Sequence, residues 1–329
     1  MAISDNIEHK IDLLDIGARD NIEWPWSENQ HIVEAILVEP DPKEAKRLSR
    51  ETGFKVLPCA LWNKEMELDL SINKSPGTSS VFRSNMTLLN QFHDADRFKS
   101  QNIIKVQAKT VKSLFKERQI DNVDFVKIDV QGAEKAILEG GEDFFKEHVV
   151  GLEVEVEFSH IYIDQPLFGE VDEFIRGNLG LELWDIRRTF WKYKEERYSS
   201  PLKGRLIFGD ALYLRSVATL EEWLSGMPRS YIKRKINALF FTAKAYGFLD
   251  YARAVVKHPF VKDHFSDGEI EGFNKELDKL SRSLYPFKKG SRILFRIFNA
   301  LANSFKPSSE GWAEGDSRIG SRKRWVFWS

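Results

Sequence analysis

The chain holds 329 residues, 42% hydrophobic and 30% charged, a balance that supports a soluble globular fold with a sizeable core. No run of about 18 apolar residues offers a spanning helix. The opening MAISDNIEHK lacks the basic flank and apolar stretch of a secretory leader, and a single cysteine, Cys59, excludes an intrachain disulfide and a thiolate zinc cluster, so a cytoplasmic location is expected.

The net charge of −1 conceals a split. Residues 216–329 carry 20 Lys and Arg against 12 Asp and Glu, a net +8, and residues 1–215 carry 29 against 38, a net −9. The two parts are expected to meet different partners, and the acidic first part argues against a nucleic-acid-binding catalytic face.

In chain order, IDLLDIG (11–17) is a short apolar run ending in glycine, and AILVEP (35–40) is a second. DPKEAKRLSRET (41–52) reads as a helix, with Asp41 as N-cap, Pro42 at the first helical position and Glu44 completing a capping box. FKVLPCAL (54–61) is a third strand and VDFVKIDV (123–130) a fourth. AEKAILEGGEDFFKEH (133–148) is helical, VVGLEVEVEF (149–158) a strand, FGEVDEFIRGNLG (168–180) helical and GDALYLR (209–215) a last strand. Such alternation predicts a mostly parallel sheet with helices on both faces, whose ligands sit beyond the carboxyl ends of the strands. From about residue 216 only helices follow, so 216–306 reads as a helical appendage. Residues 307–329, rich in Gly, Ser and charge up to SRKRWVFWS, read as a loosely ordered tail.

Asp15 and Gly17 close the first strand, and Glu39 closes the second, 22 residues after Gly17. A glycine turn after strand one with an acidic residue some 20 residues on describes a nucleoside site: the glycine admits the backbone, and the carboxylate takes ribose hydroxyls. The plainer reading is that both residues merely mark strand ends. A dinucleotide site wants G-x-G-x-x-G so that a pyrophosphate can lie on the helix N-terminus. DIGARDN offers one glycine and an arginine, which suits a ligand without phosphates, such as S-adenosylmethionine.

The ordered set LLDIGARDN, LVEPDP, LPCAL, PGTSSVF, DFVKIDVQGAEKAILEG, VVGLEVEVEF, IYIDQPLF and GDALYLR resembles the FkbM family of S-adenosylmethionine-dependent methyltransferases, over residues 11 to about 215. KIDVQGAE and the EVEVEF…IY…QPLF run are its most distinctive parts. The resemblance implies an α/β class I (Rossmann-like) fold with a seven-stranded sheet, the last strand antiparallel, and makes residues 1–215 the methyltransferase domain. It places Asp15 and Gly17 against the methionine part of the cofactor, Glu39 (followed by Pro40) at the ribose diol, Ala60 and Leu61 beside the adenine, and Asp129 near the transferable methyl. Two departures stand out: Trp62-Asn63 occupies a place where the family commonly has Gly-Asp, and Lys112 in TVKSL a place where aspartate is common.

Methyl transfer is an in-line displacement at a sulfonium carbon, so the protein must mainly position the acceptor oxygen, an effect worth about 7–11 kcal/mol. A sugar hydroxyl is a poor nucleophile while protonated, so a general base or an acidifying metal should help. Asp129 is the first candidate by location. Glu153, Glu155 and Glu157 alternate with Leu152, Val154 and Val156, which describes either a solvent-facing edge strand or, inside the sheet, a functional carboxylate face. Glu155 is the candidate of the three, and with Asp129 it forms a candidate ligand pair for a hard divalent ion such as Mg. His160, next after that strand, is an alternative base or a plain surface residue.

Ser79, Ser80, Gln131, Glu134, Tyr162 and Gln165 are candidate substrate contacts, together with the Trp24-Pro25-Trp26 cluster. Hydroxyls, amides and aromatics suit the polar edges and apolar faces of a sugar. Their plainer readings are packing under long loops and, for Glu134, complementing a helix dipole.

In GSRILFRIFNALANSF, Ile293, Leu294, Ile297, Phe298, Leu301 and Phe305 share one helical face, with Arg292, Arg296, Asn299 and Asn303 opposite. Such a helix rests on an anionic membrane, lies in a partner's groove or covers a core. The expected function is an O-methyltransferase acting on a hydroxyl of a sugar or glycoconjugate in surface-polysaccharide assembly. The alternatives are a methyltransferase of another small-molecule hydroxyl, such as a polyketide or lipid, and a non-catalytic scaffold of a glycan-synthesis complex.

Overall fold

The structure, a computed structural model, describes residues 10–197, 203–284, 291–304 and 311–316. The first two apolar runs form β1 (Ile11–Ile16) and β2 (Val33–Val38). α1 (Pro42–Glu51) begins as its sequence dictates, with the Asp41 carboxylate accepting from the Lys43 amide at 2.9 Å and Pro42 in the first turn. The third run does not stay in one strand. Pro58 has no N–H to give a ladder, and the run divides around it into β3 (Lys55–Leu57) of the main sheet and β4 (Ala60–Leu61) of a second one.

β5 (Met66–Asn73) and β6 (Ser100–Lys109), joined by a long connection holding the short α2 (Met86–Leu89), complete this three-stranded sheet. α3 (Val111–Lys116), opened by a Thr110–Ser113 capping box, precedes β7 (Phe125–Ile128). The helix expected over 133–148 is two, α4 (Glu134–Gly140) and α5 (Glu142–His148). They part at a glycine pair where the chain crosses its neighbours closely: a Cβ on Gly140 would lie 2.2 Å from the Trp62 carbonyl oxygen. Then come β8 (Gly151–Glu157), α6 (Phe168–Phe174), β9 (Leu181–Trp191) and β10 (Arg205–Arg215). Helices α7 (Leu220–Leu224), α8 (Arg229–Tyr246), α9 (Leu249–Lys257), α10 (Pro259–His264), α11 (Asp267–Leu284) and α12 (Ser291–Ser304) follow, and β11 (Ala313–Gly315) is last.

The main sheet runs β11-β9-β10-β8-β7-β1-β2-β3, with β8, β7, β1, β2 and β3 mutually parallel and β10 antiparallel to both neighbours. It has eight strands where seven were expected. The added one, β11, comes from the stretch read as a loose tail and pairs with Thr189, Phe190 and Trp191 at the end of β9. β9 itself escaped notice because much of it is only half-buried, which blurs the period-two alternation that marks a strand.

One face of the sheet, with Leu14, Ile16, Val126, Ile128, Leu152 and Val154, packs against Val111 and Leu114 of α3, Ile137 and Leu138 of α4, Phe145 of α5 and Val171 of α6. The other face, with Leu13, Phe125 and Leu212, packs against Leu220, Ile236, Leu239, Phe240, Tyr246 and Val255 of α7, α8 and α9. The part of that stretch from α7 to α11 is therefore the second covering layer of the sheet, and it shares one continuous core with β1 and its neighbours.

Part of the charge split has the same origin. Lys235 of α8, fully buried, brings its Nζ to 2.7 Å from Asp124 and 2.9 Å from the Val123 carbonyl, and Arg234 bonds Asp12 and Asp124 at 2.5 and 3.0 Å. No helix among the described residues is long and apolar enough to cross a membrane.

Removing one partner of a buried pair leaves an uncompensated charge, which costs about 3–5 kcal/mol. Asp124→Ala is therefore expected to lower the unfolding free energy by about that amount in urea titration, and a loss under about 1 kcal/mol would show that α8 is not fastened to the sheet this way.

Candidate active site

A cavity of about 240 Å³ opens at the carboxyl ends of β1, β2 and β7, where sequence reasoning placed a ligand. Asp15 and Gly17 reach it from β1, Glu39 and Pro40 from β2, Ala60 and Leu61 from β4, Ser79 from the loop after β5, and Asp129 and Gln131 from β7. Gly17 is the tightest point. Its φ is +87°, its N–H donates to Val38 O at 2.9 Å, and a Cβ there would lie 1.9 Å from the Asp129 carbonyl oxygen. Only glycine lets the ends of β1 and β7 come that close.

The lining is strongly acidic: Asp15, Asp20, Glu23, Glu39, Asp41 and Asp129 stand against Arg19 and Lys127. Such a field favours a cationic ligand and opposes a pyrophosphate. The strand register sets its centre. Lys127 of β7 lies level with Asp15 of β1 on one side and Glu153 of β8 on the other, and its Nζ is 3.6 Å from both Asp129 and Glu23. Burial works against the ammonium, but Asp129, Asp15 and Glu23 outweigh it and hold the lysine charged, its pKa raised well above the ordinary value. Burial pushes Asp15 up to about 6, with Lys127 opposing, and Asp15 Oδ1 is buried with no hydrogen-bond partner. Burial likewise pushes Glu39 up to about 7, opposed by the Asp41 N–H that donates to its Oε1 at 2.7 Å.

Residues 15–181, just over half of the chain, match the Methyltransferase FkbM domain. The chain belongs to the FkbM methyltransferase family. Among solved structures it is similar to the methyltransferase FkbM from Methylobacillus flagellatus KT, with 11% identity and a TM-score of 0.35, over 62% of this chain and 43% of that one. The matched part thus spans less than half the length of that protein. None of the curated proteins matches the chain.

In this member of the FkbM family the loop after β7 is held by Gln131, which sits at φ 61°, a left-handed conformation that costs a non-glycine residue about 1 kcal/mol or more. Its own bonds over-determine it. The side-chain amide donates to Asp129 at 3.0 Å and to Glu155 at 2.5 Å, its Oε1 lies 2.9 Å from the Tyr162 hydroxyl, and its carbonyl accepts from Ser80 at 2.7 Å.

Burial and the Asp129, Glu157 and Asp210 charges raise Glu155 well above its ordinary value. Burial also presses Asp129 upward, but Lys127 and the hydrogen bonds from Gln131 and Glu155 outweigh it and leave it lowered. Burial and neighbouring carboxylates thus favour the proton on Glu155, while Lys127 favours the charge on Asp129.

Several expected contacts turn out to act behind the cavity. Glu134 accepts from the Val130 and Gly132 amides at 3.0 and 3.1 Å, stapling the turn. Gln165 Oε1 accepts from the Tyr162 amide, and Tyr162 also reaches the Thr78 carbonyl at 2.8 Å. The edge-strand reading of β8 is excluded, since the strand is buried along its whole length between β7 and β10. Among the described residues, the three carboxylates whose oxygens all lie within 4.8 Å of one another are Glu134, Glu155 and Glu157, a trio that does not include Asp129.

His160 is exposed, does not line the cavity, and takes part through its carbonyl, which accepts from Asn85 at 2.9 Å. Trp26 belongs to the core, its ring 5.0 Å from Phe125 and 5.9 Å from Tyr246, so the Trp24–Trp26 cluster supports α8 rather than a ligand. Lys112 pairs at the surface with Asp143 at 3.2 Å, and Trp62-Asn63 lies outside the lining.

Sequence reasoning missed Lys127 and the Arg187–Asp210 pair at 2.8 Å, which lies level with Glu155 across β8, β10 and β9. The signal for Lys127 was present. It lies two residues before Asp129, hence on the same face of the same strand.

Glu39, Glu134 and Glu153 are each raised from 4.5 to about 7, and Asp15 from 3.8 to about 6, with burial the largest cause. The folded chain keeps protons that the unfolded chain has released, so stability falls as pH rises from about 4.5 to above about 7. Carboxylates held low by partners, such as Glu269 at about 2 beside Lys233, titrate below that window and do not mask it. The melting temperature of the ligand-free protein should decline between about pH 5 and about pH 7.5. Glu157, buried with one oxygen unpartnered, adds to this. Glu157→Gln should raise the melting temperature at about pH 8 by a few degrees and flatten the profile; a lower value in the variant would contradict the account.

Proposed function

We propose that this FkbM methyltransferase uses S-adenosylmethionine to methylate a hydroxyl of a sugar or glycoconjugate, in the assembly of a surface polysaccharide, on a class I methyltransferase sheet. The observation that carries the reading is the single cavity enclosed by Asp15, Glu39 and Asp129 from three different strands, with a net-negative lining. The donor set fits the cofactor, whose ammonium and sulfonium are both cationic. Asp15 Oδ1, buried and unpartnered, is free for the ammonium of the methionine end, beside the bare backbone of Gly17. The Glu39 carboxylate, fixed through one oxygen by Asp41, takes the ribose diol, and Ala60 and Leu61 form an apolar border for the adenine. S-adenosylmethionine, when bound, supplies an electrophilic methyl group.

The chain's own residues do the rest. Gln131 and Lys127 hold the Asp129 carboxylate in one orientation and ionised, so that its free lone pairs can accept the acceptor hydroxyl's hydrogen bond and then its proton. Glu155 keeps its proton and so spares Asp129 a second charge alongside. Ser79 presents a hydroxyl at the cavity wall, a group that matches the polar edge of a sugar.

Isothermal calorimetry should show S-adenosylmethionine binding to the purified chain. Glu39→Ala should weaken it at least about tenfold, the loss of a charged hydrogen bond, while the variant stays folded by circular dichroism. Asp129→Asn should stay folded and lose about 10²-fold or more in turnover. Absence of binding in the unaltered protein would favour a scaffold role. Transfer of labelled methyl to polyketide or lipid alcohols, and not to sugars, would replace the acceptor class.

A further inference from the structure

α12 stands apart from the two-layered core. Each of its described side chains, residues 293–301, is exposed, and Ile293, Leu294, Ile297, Phe298 and Leu301 are 70, 58, 50, 66 and 51% exposed. At 100° per residue these five fall within one arc of about 140°, while Arg296, Asn299 and Phe295, the last 49% exposed, lie outside it. Isolated exposed leucines are ordinary, but five large apolar groups in one stripe on a helix outside the core form a surface that water does not favour.

The charge around the stripe says what covers it. From Lys279 to Ser309 the sequence contains Lys279, Arg282, Lys288, Lys289, Arg292, Arg296 and Lys306 and no Asp or Glu. A second copy of the chain would bring an equal block of positive charge to the same place, which opposes self-association. An anionic lipid surface supplies both partners at once: acyl chains for the stripe and headgroups for the cations. Fourteen residues rise about 21 Å, too short to span the hydrocarbon of a bilayer, so the helix would lie in the interface plane.

We infer that α12 is an interfacial helix that docks the enzyme on anionic membrane surfaces. Its flanking cations hold the headgroups, and Ile293, Leu294, Ile297, Phe298 and Leu301 enter the acyl boundary. This inference rests on surface exposure and charge and is independent of the cavity and its cofactor.

The test is co-sedimentation of the full chain with vesicles of phosphatidylcholine alone or with a third phosphatidylglycerol. Binding to the anionic vesicles should exceed that to the neutral ones by at least about tenfold and fall as salt rises. The double variant Leu294→Glu, Phe298→Glu, at two exposed positions, should keep the circular dichroism spectrum and melting temperature while losing vesicle binding. Three outcomes would overturn the inference: no binding to anionic vesicles, binding that survives the double variant, or a dimer in analytical ultracentrifugation that the double variant converts to monomer. The last would assign the stripe to a second copy.

Discussion

The Lys127 ammonium, buried among Asp15, Glu23 and Asp129, is the constraint from which the rest of the site follows. Three carboxylates gathered at one rim of the sheet would repel one another and, out of water, would each take up a proton. One lysine in register between β1 and β8 changes that outcome. It keeps Asp129 ionised while Asp15, which has an oxygen without a partner, stays poised for a cation from outside. Lys127 is itself almost wholly buried and carboxylates outnumber cations along the cavity, so the lining stays acidic without the sheet coming apart.

Behind that first row the acidic face continues. Glu155 and Glu157 lie beyond Asp129 on the adjoining strand, their burial complete, and Asp210 with Arg187 closes the row. Buried carboxylates are tolerated here because protons neutralise them, and because Gln131 ties Asp129 to Glu155 with two donated hydrogen bonds. The same contacts keep Gln131 in a left-handed conformation. Strain, protonation and positioning are thus coupled in one short turn.

The C-terminal helices complete this arrangement from the opposite direction. α8 covers the apolar half of the face whose polar half forms the site, and the boundary between the two halves crosses single strands: Phe125 meets the Tyr246 ring at 5.6 Å, and two residues later Lys127 meets carboxylates. Tyr246 itself marks the border, its hydroxyl donating to Glu153 at 2.5 Å. Cations from the basic part, Arg234 and Lys235, neutralise Asp12 and Asp124 of the acidic part. What composition separates, packing joins.

Local chemistry was enough to read β1, β2, β7 and β8, the capped α1, and the position of Asp15, Gly17, Glu39 and Asp129 at strand ends, because strand alternation, capping and a glycine-ended turn are short-range signals. The pairing of β11 with β9 and the placement of α7 to α11 as a layer of the sheet depend on partners far away in sequence, so no local window contains them. The site follows the same rule. The sequence by itself determined which strand ends carry carboxylates, whereas only the tertiary structure decided that Lys127 lies between them, that Tyr162 and Glu134 support the turn from behind, and that His160 faces water. Charge and burial are properties of the assembled neighbourhood, and a side chain acquires them only when strands distant in the chain come into register.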